Sequence, residues 1–182
     1  EAADANSAIC GGGVYVEKYG NADASFNMTD GTISGNTASA RGGGVFIYLG
    51  SFIMDGGEIR ANVVKGANGG YGSGGGVYLC GGTFTMNDGM ISANKVTATA
   101  SGLGGGIFVT FGGTMEMKGD TISENEAMNG GGVYVEDGTF NMTGNSAIDC
   151  NWATQNGGGV YIDSNGVFRM DGGSNSTPHV DN

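Results

Sequence analysis

Hydrolysis or elimination on a polysaccharide needs carboxylates held close together, or a basic residue beside a bound metal ion. One arginine and one aspartate stand in equivalent places of this chain. The residues that follow five recurrent isoleucines are Ser34, Arg60, Ser92, Ser123 and Asp149. Arg60 and Asp149 fall about three repeats apart, so the column offers no acid-base pair. His179 is the only histidine and lies close to the C-terminal end, which speaks against a Ser-His relay or a histidine metal site. Cys10, Cys80 and Cys150 are odd in number and match no zinc spacing, and they are expected to be three free thiols. The aspartates of Asp30-Gly31 and Asp88-Gly89 do not recur at one fixed position, and no calcium-binding nonapeptide is present. The column Thr32, Glu58, Met90, Thr121, Ala147 is not the threonine ladder that ice binding requires. The expectation is a protein without a catalytic centre, metal or cofactor.

Two patterns suit binding better than bond making. An aromatic residue sits at the same place in each of six repeats: Tyr15, Phe46, Tyr78, Phe108, Tyr134 and Tyr161. Exposed along one face, such a stripe could stack on a sugar or a protein; stacked on itself, it would only stabilise a sheet. The second pattern is loop length. Connections ahead of successive glycine runs hold 3, 9, 7, 2 and 3 residues, which makes the two long ones, 65–73 and 97–103, neighbours. Insertions in repeat proteins collect on one face, and Lys65, Tyr71 and Lys95 belong to or border these two. Trp152 shares a column with Thr37, Val63, Lys95 and Glu126 and is a further surface candidate, unless it packs under the C-terminal tail.

What positions these residues is a repeat. Gly-Gly-Gly followed by apolar, aromatic and apolar residues begins at residues 11, 42, 74, 104, 130 and 157. Between the runs lie Phe-x-Met blocks, such as Phe52-Ile53-Met54 and Phe84-Thr85-Met86, and Ile-x-x-Asn-x-(Ala/Val) blocks, such as Ile59 to Val64. Each repeat therefore carries three short alternating segments separated by Gly, Asp and Asn, with no helical period. Three strands make one coil, and stacking equivalent strands at roughly 4.8 Å builds a rod on the order of 30 Å long. The prediction is an all-β, right-handed parallel β-helix of about six coils over residues 1–170, followed by a polar tail over 171–182. Valine, Phe/Met and isoleucine columns should face inward and the six aromatics outward. Asn36, Asn62, Asn94, Asn125 and Asn151 should form a ladder at an inner corner, each amide bonding to the coil beside it.

The Ile-x-x-Asn block followed by GGGV or GGGI resembles the paired FxxN and GGA(I/L/V) motifs of the polymorphic outer membrane protein repeats. It is similar, more widely, to the parallel β-helix adhesin-like surface proteins. Isoleucine stands where phenylalanine is usual, at Ile33, Ile59, Ile91, Ile122 and Ile148, and a third glycine stands where alanine is usual. What the resemblance implies is a passenger or stalk displayed outside the cytoplasm, at a cell surface, with adhesion as its role.

The composition agrees with a folded repeat. Forty glycines and one proline, without a Gly-X-Y period, exclude collagen. A net charge of −11 leaves no electrostatic footprint for nucleic acid or an anionic bilayer, and no run of about 18 apolar residues could insert into a membrane. The expected partners are a glycan or a neighbouring or host surface protein. Because Asn6-Ser7-Ala8 aligns with the close of a preceding coil and the sixth coil lacks an isoleucine block, end-to-end self-association into a filament is a further expectation. A polysaccharide lyase or hydrolase acting on acidic glycans is the enzymatic alternative.

Overall fold

The computed structural model describes residues 5–66 and 70–176, and among these no helix occurs. The chain winds as a parallel β-solenoid of about six coils with three sheets. The first sheet stacks the strands that follow the glycine runs, Val14–Glu17, Val45–Tyr48, Val77–Cys80, Ile107–Thr110, Val133–Glu136 and Val160–Asp163, in chain order. Register is residue on residue: Val14, Val45, Val77, Ile107, Val133 and Val160 lie over one another.

The second sheet contains both the Phe-x-Met and the isoleucine segments. In four coils they form one bent strand: Ser51–Arg60, Thr83–Ser92, Thr139–Asp149 and Val167–Ser176. The isoleucines thus share the Phe-x-Met sheet, and the third strand starts only after the asparagine. The bend falls at Asp and Gly, where the register slips around Asp88. Gly89 there has φ +107°, a conformation that suits a residue without Cβ. The last strand runs past Met170 to Ser176 in register with Thr139–Asp149, so the polar segment starts inside the sixth coil.

Third-sheet strands begin Ser7, Thr37, Val63, Lys95, Glu126 and Trp152, all in one column. Ser7–Cys10 pairs with Thr37–Arg41, as the register of the first ten residues implies. The two long connections also end in strands, Tyr71–Ser73 and Ser101–Leu103, which pair with each other.

Inside, the valine, Phe/Met and isoleucine columns form one continuous core. Phe52 and Phe84 stack at 4.5 Å, and Met115 continues their column to Phe140. A smaller apolar cluster of Ala38, Val64, Val96, Ala98 and Ala127 lies behind the third sheet. The two meet where the glycine runs pass. A Cβ on Gly43 would come 2.2 Å from the Gly75 carbonyl oxygen of the next coil and 2.9 Å from the Val63 nitrogen, so only glycine fits.

Asparagines close the corner between the second and third sheets. The Asn94 Oδ1 accepts from both the backbone N–H and the Nδ2 of Asn62, each at 3.0 Å. Its own Nδ2 donates to the Ile59 carbonyl at 2.9 Å and to Asn125 Oδ1 at 3.0 Å. Asn36, Asn62, Asn125 and Asn151 repeat this pattern, and every described buried side-chain nitrogen or oxygen has a partner.

Candidate functional site

The aromatic column points away from the main core, as expected, but it is not an exposed stripe. Phe46, Tyr78, Phe108 and Tyr134 are buried, Tyr15, at the first coil, is half exposed, and Tyr161, at the sixth, is partly buried. Successive rings stack at 4.9–5.2 Å, so each inner ring spends both faces on its neighbours. A flank from the third sheet covers them further, since Cys10 and Leu103 pack against the stack. The reason is geometric: a parallel register places identical positions one strand spacing apart, which is close to the stacking distance of aromatic rings. Ligand stacking on the inner ring faces is thereby excluded.

The column opens at one place. Beyond the aromatics, the next outward position reads Glu17, Tyr48, Cys80, Thr110, Glu136 and Asp163, and the turn residue after it reads Lys18, Leu49, Gly81, Phe111, Asp137 and Ser164. In the third coil these places hold Cys80 and Gly81, small residues set between Tyr48-Leu49 on one side and Phe111 on the other. A Cβ on Gly81 would sit 2.6 Å from Leu49 Cδ2. The outcome is a hollow of about 370 Å³ lined by Arg41, Phe46, Tyr48, Leu49, Tyr78, Cys80 and Phe111.

Arg41 ends a third-sheet strand and brings its guanidinium carbon to 5.6 Å from the Tyr78 ring centroid. Burial pushes the Tyr78 phenol up to about 12, with Arg41 opposing the rise. Burial raises the Cys80 thiol as well, again against Arg41. Neither is a poised acid, base or thiolate near neutral pH, and the arginine supplies the hollow's charge. This arrangement can hold a ligand and is not built to transfer a proton.

Leu49 and Phe111 stand at φ +57° and +52°. The other positions of that turn column from the third coil on are Gly81, Asp137 and Ser164, types that tolerate the left-handed region or suit turns better than a bulky apolar residue does. Phe111 is 70% exposed, so packing accounts for little of its presence; Leu49 is 47% exposed and rests one methyl over Gly81.

The remaining sequence candidates lie elsewhere. Lys65 and Tyr71 are exposed at the long connection of the third sheet, and Lys95 is tied to Glu126 at 2.7 Å. None of the three lines the hollow. Trp152 is 65% exposed, a surface position as its column suggests; of the tail 171–182, which was the alternative cover for it, residues 177–182 lie outside the described residues. Arg60 pairs with Glu58 at 2.8 Å and stands three coils from Asp149, roughly 14 Å along the stack. Cys10, Cys80 and Cys150 are free thiols.

A second concavity, about 390 Å³, follows the Asp-Gly corner past Asp30, Glu58, Asp88 and Asp120. Its carboxylates are satisfied locally. Asp30 accepts from the Gly31 N–H at 2.7 Å, and the Gly89 N–H is shared by Asp88 at 2.9 Å and Asp120 at 3.1 Å. Among the described residues no group of His, Cys, Asp and Glu is arranged to hold a metal ion. Sequence reasoning singled out Tyr78 and Phe46 but missed Arg41, Tyr48, Leu49, Cys80 and Phe111. The available signal was Leu and Phe in a column of turn-forming residues.

No family model matches the chain, and no curated protein and no solved structure shows significant similarity to it.

Proposed function

We propose that this solenoid is a non-catalytic binding segment of an adhesin-like protein displayed outside the cytoplasm, and that it holds its ligand at the hollow of the third coil. The observation that carries this reading is the pair of exposed, bulky residues in left-handed turns, Leu49 and Phe111, on either side of Gly81. A non-glycine residue in that region costs on the order of 1 kcal/mol or more, and such strain concentrates at ligand-contacting positions. Ala61, Ala93, Glu124 and Cys150 also stand in left-handed turns at the asparagine corner, so what sets Leu49 and Phe111 apart is a bulky apolar side chain exposed beside a hollow. The hydrogen-bonded stack around them, each coil satisfying the next, suits a stiff support better than a moving catalytic site. Adhesion outside the cell also agrees with the glycine-run and asparagine motifs described above, while fold alone names no ligand.

The test is an array of glycans and extracellular-matrix proteins probed with the whole chain and with the double variant Leu49→Asn, Phe111→Asn. Retention of at least one ligand by the parent and its loss in the variant is the expected result. Depolymerisation of a polyuronate, with or without calcium, that disappears in Arg60→Gln or Asp149→Asn would instead make the protein an enzyme and sink the proposal.

A further inference from the structure

We infer that the hollow takes a carboxylated pyranose, a uronic or sialic acid residue with uncharged sugars on either side. This deepens the binding reading above and depends on it.

The first ground is an unpaired cation. Lys18, Arg60 and Lys95 each hold a carboxylate at 2.6–2.8 Å; Arg41, like Lys65, Lys118 and Arg169, makes no ion pair among the described residues, and of these four it alone lines the hollow. In a chain with 18 acidic and 7 basic side chains, an arginine left without a carboxylate beside an apolar hollow is complementary to an anion brought from outside. Its planar fork suits a carboxylate in particular.

The second ground is what lies above and below. The outward column that carries Tyr48 and Cys80 has Glu17 one coil before and Glu136 just past Thr110, which bonds to it at 3.4 Å. A polyanion laid along this column meets a carboxylate at each end of the hollow. One carboxylate flanked by neutral sugars meets only Arg41.

The third ground separates sugar from peptide. The strands Val45–Tyr48, Val77–Cys80 and Ile107–Thr110 are paired on both edges, and the turn N–H groups of Leu49 and Gly81 already donate to Cys80 and Thr110 carbonyls. No backbone edge is left to receive an extended peptide, whose own amides would lose water without gaining partners. A pyranose needs no such edge. The Phe111 ring, outside the stacked column and mostly exposed, offers a face to its C–H bonds, and Tyr48 and Tyr78 bring hydroxyls.

The experiment compares 3′-sialyllactose and a hyaluronan tetrasaccharide with their carboxyl-reduced counterparts, using calorimetry and saturation-transfer NMR on the whole chain. Each carboxylated probe is expected to bind roughly tenfold or more tightly than its reduced form. Arg41→Gln should erase that difference, Arg41→Lys should keep part of it, and Phe111→Asn should weaken both forms together. Because the carboxylated and reduced probes are compared on the parent protein, the outcome does not hang on any variant folding. Equal affinity for the two forms, a difference that survives Arg41→Gln, or tighter binding of a galacturonate oligomer overturns the inference. So does silence of every carboxylated probe. In that last case, an array ligand that still depends on Leu49 and Phe111 leaves the binding reading standing, and absence of any such ligand removes both.

Discussion

Phe111 places a large ring at φ +52° with most of its surface in water, so the fold gains little from it and bears the cost of the turn. Replacing it by glycine removes the clash of Cβ with the backbone. Phe111→Gly should stabilise the protein by about 1 kcal/mol, read as a higher urea midpoint at unchanged slope, while weakening ligand capture. A variant that loses stability would show that the ring packs into the fold and is not held there for a ligand. Reactivity of the thiols is decided at the same scale. Cys150 is exposed and Cys80 is buried in the floor of the hollow, so a thiol reagent should label Cys150 in the native protein well before Cys80. Mass spectrometry of a partially alkylated sample checks the order.

Among the elements, the asparagine corner and the glycine run tolerate least, for different reasons. Asn94 is fully buried and joins three coils through its amide. Asn94→Ala strands the Asn62 backbone N–H and removes the Asn94 donor from the Ile59 carbonyl, at about 1–3 kcal/mol for each buried group left unpaired, while Asn62 Nδ2 keeps the Ile33 carbonyl and Asn125 Oδ1 keeps the Asn94 N–H. A loss of roughly 3 kcal/mol or more in denaturant unfolding is expected, and a loss below 1 kcal/mol would mean that water replaces the ladder. Gly75 fails through space. A Cβ there would approach the Gly105 carbonyl oxygen to 2.3 Å, backbone against backbone, with no side chain able to yield. Gly75→Ala should therefore disrupt the third and fourth coils, seen as early hydrogen exchange confined to those strands.

For the whole molecule the controlling quantity is a net charge of −11 on a narrow stack. Along the Asp-Gly corner, burial first and then the hydrogen bond with Asp88 raise the Asp120 carboxyl above the ordinary aspartate value. The folded state then binds more protons than the unfolded chain between those two values. Stability contributed by Asp120 is complete below the ordinary aspartate value and declines as pH rises through the raised one. Mild acidification from neutrality should raise the melting temperature, partly from this group and partly from reduced self-repulsion. Salt screens the second contribution more than the first. Asp120→Asn should accordingly flatten the pH dependence that persists in high salt; an unchanged slope would assign it all to long-range charge.

The periodicity of Gly-Gly-Gly, Phe-x-Met and Ile-x-x-Asn was enough to determine the coil count, the inward columns and the asparagine corner, because a repeat constrains each side chain by its distance from the next copy of itself. Register between Ser7–Cys10 and Thr37–Arg41 was legible for the same reason. Three matters were decided only in three dimensions. The isoleucines joined the Phe-x-Met sheet because the corner between them bends the chain without turning it out of the sheet, in four coils without even ending the strand, while the asparagine corner does end it. The aromatic column became a self-stacked wall because its spacing along the stack matches that of rings in contact. The hollow exists because Arg41 from one coil, Tyr48 and Leu49 from the next strand, Gly81 one coil on and Phe111 beyond it converge around an absent side chain. These residues span seventy-one positions of sequence, from 41 to 111; the repeat makes Phe46 equivalent to Tyr78, Tyr48 to Cys80, and Leu49 to Gly81 and Phe111, but the residue types at the last two places do not recur. A repeat pattern reports what recurs, and this hollow is made of the places where recurrence fails.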